Sequence, residues 1–282
     1  MDYKAKIAAH AQNLPTISTT VARLSKLIRD ETATAADFEA IIRLDPSLTA
    51  NLLRLANSAY FGLRREVTSV KLAVTLLGLK RLFELVTSAS FARILPKRVP
   101  GYDMEATVFW RHNVSVAIIA EQLALTMQIP APNLLFTAGL LHDVGKLAIG
   151  MVLLEENISL GTRLAEAQGN LVDVERSLLE TDHQEVGAML AGLWDLPDTV
   201  AWSARWHHMP SKAPTDIDRN LVDLVHIANG LSHSAGYGTD AAETSSRIDN
   251  QALVRIGIRV NQLEKVLVTT EEQINQLANA FG

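Results

Sequence analysis

The stretch Ala138-Gly139-Leu140-Leu141-His142-Asp143-Val144-Gly145-Lys146-Leu147 decides how the rest of this chain is read. It sets an adjacent histidine and aspartate, with a lysine one turn on, inside an apolar run from Leu134 to Leu154. His142, Asp143 and Lys146 interrupt that run, so it fails as a membrane span and reads as a buried helix carrying polar side chains. Burying an ionised carboxylate without a partner is expensive. A metal ion at Asp143 would offset the penalty, and so would an ion pair with Lys146 or an arginine; spacing leaves both open.

Outward from this point the chain is rich in histidine. Of eight histidines, six form an ordered series: His112, His142, His183, the pair His207-His208, and His226. Neutral imidazole binds transition metals through one ring nitrogen and aspartate adds a hard oxygen donor, so the series has the composition of a mono- or dinuclear site. Lys146 is placed to stabilise a bound phosphate or to pair with a ligating carboxylate. His10, His226 and His233 are expected to be hydrogen-bonded core residues. There is no cysteine, which excludes disulfides, thiolate metal sites and cysteine nucleophiles.

Apolar residues recur at spacings of three and four, as in Val21, Leu24, Leu27 and Ile28, and no stretch alternates with period two. An all-α fold of roughly a dozen helices is expected. Side-chain caps place several starts: Thr34 with Asp37, Asp182 with Glu185, Thr270 with Gln273, and Asp45 before Pro46. The segment Leu95 to Gly101, with two prolines and a glycine, should end one helical lobe before another begins at about Met104. A polar stretch from Gly236 to Ser246 separates the body from an amphipathic tail ending at Gln273 to Phe281, which packs on the body or on a partner. Trp110, Trp202 and Trp206 are expected in the core.

With 282 residues, 48% of them hydrophobic, the chain can fill a large core. A net charge of −5 gives no general attraction for polyanions. Arg64-Arg65, Lys80-Arg81 and Lys97-Arg98 read as solvated surface, so nucleic acid is not an expected partner. The amino terminus has no apolar targeting segment, and a cytoplasmic location without membrane attachment is the default expectation.

The quoted His142-Asp143 stretch resembles the motif that names the HD superfamily of metal-dependent phosphohydrolases. Asp45 to Gly62 (DPSLTANLLRLANSAYFG), Asp182-His183-Gln184-Glu185-Val186-Gly187, and Trp194-Asp195-Leu196-Pro197 narrow the likeness to the HD-related output domain, HDOD. Leu14-Pro15, Thr68-Ser69-Val70 and Leu76-Leu77-Gly78-Leu79 agree, so the resemblance runs from about residue 14 to about 235. It implies a two-lobed, all-α HD-superfamily domain. After a leader helix at 1–13 come an amino-terminal lobe at 14–100 and an HD-like core at 101–235, and a helical extension fills 236–282.

The resemblance further implies a bacterial signalling module that acts on a protein partner, without general catalytic activity; the alternative is a metal-dependent phosphohydrolase acting on a phosphoester or nucleotide. Its metal positions fall on His112, His142, Asp143, His183, His207 and His208, for one or two ions of Fe, Mn, Zn, Co or Ni, or for none. In the enzyme reading Asp143 and Lys146 are catalytic, and a phosphate-containing ligand is expected there. The family's closing aspartate falls on Asn229, a weaker ligand that lowers the charge available to a second cation. Met209-Pro210-Ser211-Lys212 follows the histidine pair where cyclic di-GMP hydrolases carry an acidic Gly-Tyr-Pro stretch, which disfavours that activity.

Overall fold

The computed structural model describes residues 2–14, 17, 19–30, 32–130, 134–167, 170–238 and 248–280, and among these it has fifteen α-helices and one β-ribbon of two two-residue strands. Pro15, Phe281 and most of the polar stretch before Ser246 lie outside the described residues.

The amino-terminal lobe contains α2 (Thr19–Leu27), α3 (Ala35–Ile42), α4 (Pro46–Ala56) and α5 (Val70–Ile94). Its helix starts follow the expected caps. Thr34 and Asp37 exchange hydrogen bonds across the first turn of α3, and the Asp45 carboxylate accepts from Leu48 N at 2.9 Å with Pro46 opening α4. One stripe of each helix, including Leu24, Phe38, Ile42, Leu48, Leu52 and Leu55, is fully buried. Gly78 (φ 78°, ψ 168°) breaks α5, a conformation that side chains resist, and lets its second half turn into the core from Leu82 to Phe91.

Helix α5 ends at Ile94, just before the proline-rich segment. Arg98–Val99 then pairs antiparallel with Met104–Glu105, a ribbon too short to leave a period-two signature. The second lobe is built on α6 (Ala106–Thr126), against which α7 (Leu135–Leu141), α13 (Arg219–Ser232) and α15 (Val260–Asn279) pack. Around them lie α8 (Gly145–Glu155), α9 (Leu160–Ala167), α10 (Leu171–Leu179), α11 (His183–Leu193), α12 (Asp198–Trp206) and α14 (Asn250–Ile256). The leader helix α1 (Tyr3–Asn13) lies on α8 and α11 and pairs Lys6 with Glu155 and Glu156.

Several expectations are corrected. The Leu134–Leu154 run forms two helices, α7 and α8, parted by a turn at His142–Val144. Leu135–Glu155 is long and apolar enough to cross a membrane, but 89% of that window is buried inside the fold. Helices outnumber the expected dozen because junctions such as α7–α8 have no side-chain cap to mark them. Thr270 does not start a helix; it lies within α15 and donates to Val266 O at 2.9 Å. His10 is half-buried at the surface beside Glu155. Trp110 is buried, whereas Trp202 and Trp206 are half-buried against the core. The tail packs on the body: Trp110 Nε1 donates to Ala278 O at 3.2 Å and Arg54 to Ala280 O at 2.6 Å.

Candidate metal centre

The turn between α7 and α8 carries His142 and Asp143 into the middle of the second lobe. The turn works because residue 145 is glycine. A Cβ there would sit 2.0 Å from His183 O and 2.6 Å from Gly187 N, so α8 meets the first turn of α11 backbone to backbone. Asp182 caps α11 by accepting from Glu185 N at 2.9 Å, which fixes the start of that helix and with it His183. His207 and His208 follow directly on α12, and His112 comes from the buried face of α6.

All six residues named from the resemblance meet around Asp143. His112 Nε2 and His142 Nε2 lie 3.7 and 3.5 Å from its Oδ2, and His183 Nε2 and His207 Nε2 lie 3.5 and 3.4 Å from its Oδ1. His183 Nε2 is 3.1 Å from His208 Nε2 and 3.4 Å from His207 Nε2. The donors thus form two groups sharing one carboxylate: Asp143 with His183, His207 and His208, and Asp143 with His112 and His142. Each could hold a cation.

The opposite ring nitrogens explain this convergence. His142 Nδ1 donates to Gly139 O (2.7 Å), His207 Nδ1 to Ala204 O (2.9 Å), His183 Nδ1 to the Glu175 carboxylate (2.7 Å), and His112 Nδ1 to Tyr237 O (3.1 Å). Carbonyl and carboxylate oxygens only accept, so these Nδ1 atoms carry a proton, and each ring, in its neutral form, turns its Nε2 lone pair inward. Lone pairs facing one another repel unless a cation or proton lies between them. The 3.1–3.5 Å spacings among Asp143, His183, His207 and His208 come close to the about 3.0–3.4 Å separating donors that lie about 2.0–2.1 Å from a shared ion, while the 3.5 and 3.7 Å separations of His142 and His112 from Asp143 are wider. Within the cluster, His142 Nε2 and Asp143 Oδ1 are buried and make no hydrogen bond among the described residues. The residues therefore fit a metal ion.

Lys146 is the remaining charge. Fully buried, it donates from Nζ to Asp143 Oδ2 at 2.7 Å and lies 5.9 Å from the centre of the Tyr102 ring. Burial opposes ionisation of Asp143, but Lys146 first and His142 next hold its carboxyl well below the usual range. His142 is pushed well below the imidazole range by burial, which outweighs the pull of Asp143. His183 also pays for burial, yet the charge and hydrogen bond of Glu175 raise it.

Some of the surrounding groups carried no signal in the sequence. Glu175, fully buried on α10, accepts from both the backbone N and Nδ1 of His183 (2.9 and 2.7 Å) and from the Tyr102 hydroxyl (2.6 Å). Ser232 bonds His112 Nδ1 (3.0 Å) and Ser115. His226 is structural, as expected: it donates to His207 O (2.6 Å) and accepts from Asp249 N (2.8 Å). His233 stacks on His112 with ring centres 4.7 Å apart. Asn229 lies one turn earlier on α13, with its carboxamide oxygen buried and without a hydrogen-bond partner among the described residues.

Comparison with known proteins identifies the family and the fold. The HDOD domain family matches residues 14–210. The chain belongs to the HDOD family. A solved HDOD protein of unknown function from Geobacter sulfurreducens superposes with a TM-score of 0.76 at 23% identity, covering 99% of this chain and 98% of that one. A candidate phosphohydrolase from Shewanella amazonensis SB2B gives 0.74 at 26% identity, with the same coverage. A candidate signal-transduction protein from Marinobacter aquaeolei VT8 gives 0.72 at 21%, covering 96% of this chain and 60% of its own. An uncharacterized protein of Treponema pallidum (strain Nichols) is 28% identical over 228 residues, 80% of this chain; the HDOD chain described here spans 43% of that relative's length.

Proposed function

We infer that this HDOD protein is a regulatory signalling module whose His/Asp cluster binds a divalent transition metal. The observation that carries the metal reading is the inward turn of the Nε2 atoms, four of them enforced by Nδ1 hydrogen bonds, onto both oxygens of one buried aspartate. A donor set dominated by imidazole favours Fe, Mn, Zn, Co or Ni over magnesium. One ion is the expected load, because Lys146 already neutralises Asp143 Oδ2 beside His112 and His142, and Asn229 adds no charge. The group with His183, His207 and His208 is the better site.

Two features favour regulation over turnover. His112, His142, Asp143, Lys146, His183 and His207 are all at most 1% exposed, which leaves a substrate no direct approach except past half-buried His208. The likeness to a candidate signal-transduction protein points the same way. The partner would then be another signalling protein, engaged through the helical surface.

The second reading is a metal-dependent phosphohydrolase. The full set of histidines and the likeness to a candidate phosphohydrolase favour it. A bound cation would supply an activated water and polarise a phosphoryl oxygen. Lys146 would hold Asp143 ionised and lend positive charge to a phosphate, and Glu175 would keep His183 oriented.

The test is metal content by plasma mass spectrometry, with hydrolysis of bis-p-nitrophenyl phosphate, on wild type and Asp143→Ala. The inference expects about one equivalent of transition metal, lost in the variant, and no turnover. Turnover that disappears with Asp143 would establish the hydrolase. Less than about a tenth of an equivalent after reconstitution would overturn the metal site.

A further inference from the structure

A cavity of about 520 Å³ lies outside the His/Asp cluster, where the linker between the lobes, the start of α6, the turn after α13 and the end of α15 meet. Its walls include Leu95, Lys97, Trp110, Arg111, Tyr237 and Ala278, and among the described residues no aspartate or glutamate lines it. Neither cation forms an ion pair among the described residues, whereas Arg81, Arg93, Arg176 and Arg255 each face a carboxylate. Arg111 is also held in place. Its Nη2 donates to Asn275 Oδ1 at 2.5 Å, and its guanidinium lies 5.1 Å from the centre of the Tyr237 ring.

From these features we propose that the cavity is a binding site for a small organic phosphate. Two unmatched cations in a concavity focus positive potential on its occupant. A guanidinium already fixed by a carboxamide and an aromatic ring loses little further freedom when it binds a phosphate. The volume falls within the range of small-molecule sites, and the apolar side formed by Leu95 and Ala278 suits the organic part of such a ligand.

The pocket is distinct from the metal cluster but shares a wall with its surroundings. Tyr237 stacks with Arg111 through its ring and accepts from His112 Nδ1 through its carbonyl. Gly238 packs against His233, where a Cβ would come within 2.5 Å of the ring nitrogen, and His233 stacks on His112. A ligand that shifts Tyr237 therefore shifts the orientation of His112. Only this communication rests on the metal reading; binding itself does not.

The test is calorimetric titration of the chelator-treated full chain with adenosine 5′-monophosphate and with inorganic phosphate, on wild type, Arg111→Gln and Lys97→Gln. Both substitutions are at exposed side chains, and circular dichroism checks their folding. The expected result is saturable binding of the nucleotide, tighter than phosphate, weakened about tenfold or more in each variant. Binding that appears only after metal is restored, and is indifferent to Arg111, would put the anion on the His/Asp cluster and overturn the proposal. Equal affinity for phosphate and nucleotide would overturn the organic component, and no binding by about 10 mM ligand would overturn the site altogether.

Discussion

In the metal-free protein, Asp143→Asn should lower folding stability by about 3–5 kcal/mol, the usual consequence of removing one member of a buried ion pair. The pair here is Asp143 with Lys146, 2.7 Å apart and at most 1% exposed. Asparagine keeps the shape and removes the charge, so the Lys146 ammonium stays buried without its counterion. At about 2–4 °C per kcal/mol for a large domain, the melting temperature should fall by about 10 °C. Lys146→Met should cost a similar amount, since it leaves the carboxylate without its cation. The double variant removes both charges and should recover at least about 2 kcal/mol relative to the sum of the singles. Urea and thermal unfolding followed by circular dichroism, with chelator present throughout, measure all four corners of the cycle. Adding transition metal should rescue Lys146→Met and not Asp143→Asn, because a bound cation replaces the ammonium only where the carboxylate survives. Single variants that each cost under about 1 kcal/mol, and that simply add, would refute the claim that these two residues balance each other in the core.

Glu175→Gln should weaken metal binding about 10- to 100-fold in a competitive chelator titration, because the amide no longer enforces the tautomer of His183; Tyr102→Phe should have a smaller effect in the same direction. Gly145→Ala forces a methyl group onto His183 O and should cost about 3 kcal/mol in urea unfolding. Glu84, buried on α5 beside Arg81 and Glu121, is raised to about 7 by burial first and the neighbouring Glu121 carboxylate second, against the pull of Arg81. The stability it contributes is complete below the ordinary carboxyl value near 4.5 and is lost as pH rises through about 7. Stability should therefore decline by up to about 3 kcal/mol across that window, and Glu84→Gln should flatten the decline, as read from urea midpoints at about pH 5 and 8.

How much of this was legible depended on whether the information was local. Thr34, Asp45 and Asp182 announce their helices because a cap is a contact between residues three apart. The break at Leu95 is written in prolines. The α7–α8 junction is not, since its reason is the approach of a different helix to Gly145. Thr270 misled because Thr-x-x-Gln has the same spacing inside a continuous helix as at its start. In the cluster, His142-Asp143 stood out by adjacency within an apolar run, the ordered series brought in the other histidines, and the family likeness assigned the metal positions among them, without His226. Glu175 and Tyr102 were invisible: a lone glutamate on α10 and a tyrosine in the linker gain meaning only when His183 folds between them and Asp143.

The family match ends at residue 210, and every member of the His/Asp cluster lies inside it. Yet the groups that hold the His112 ring, Ser232 and the Tyr237 carbonyl, lie beyond that limit, and so does α15, which covers Trp110. The recognisable domain is thus shorter than the working one. A protein trimmed at the family boundary would carry every donor atom yet lose the framing of one imidazole and the lid over the adjoining tryptophan. Domain surgery on this chain must take its margins from the framing of His112 and not from the reach of the motif.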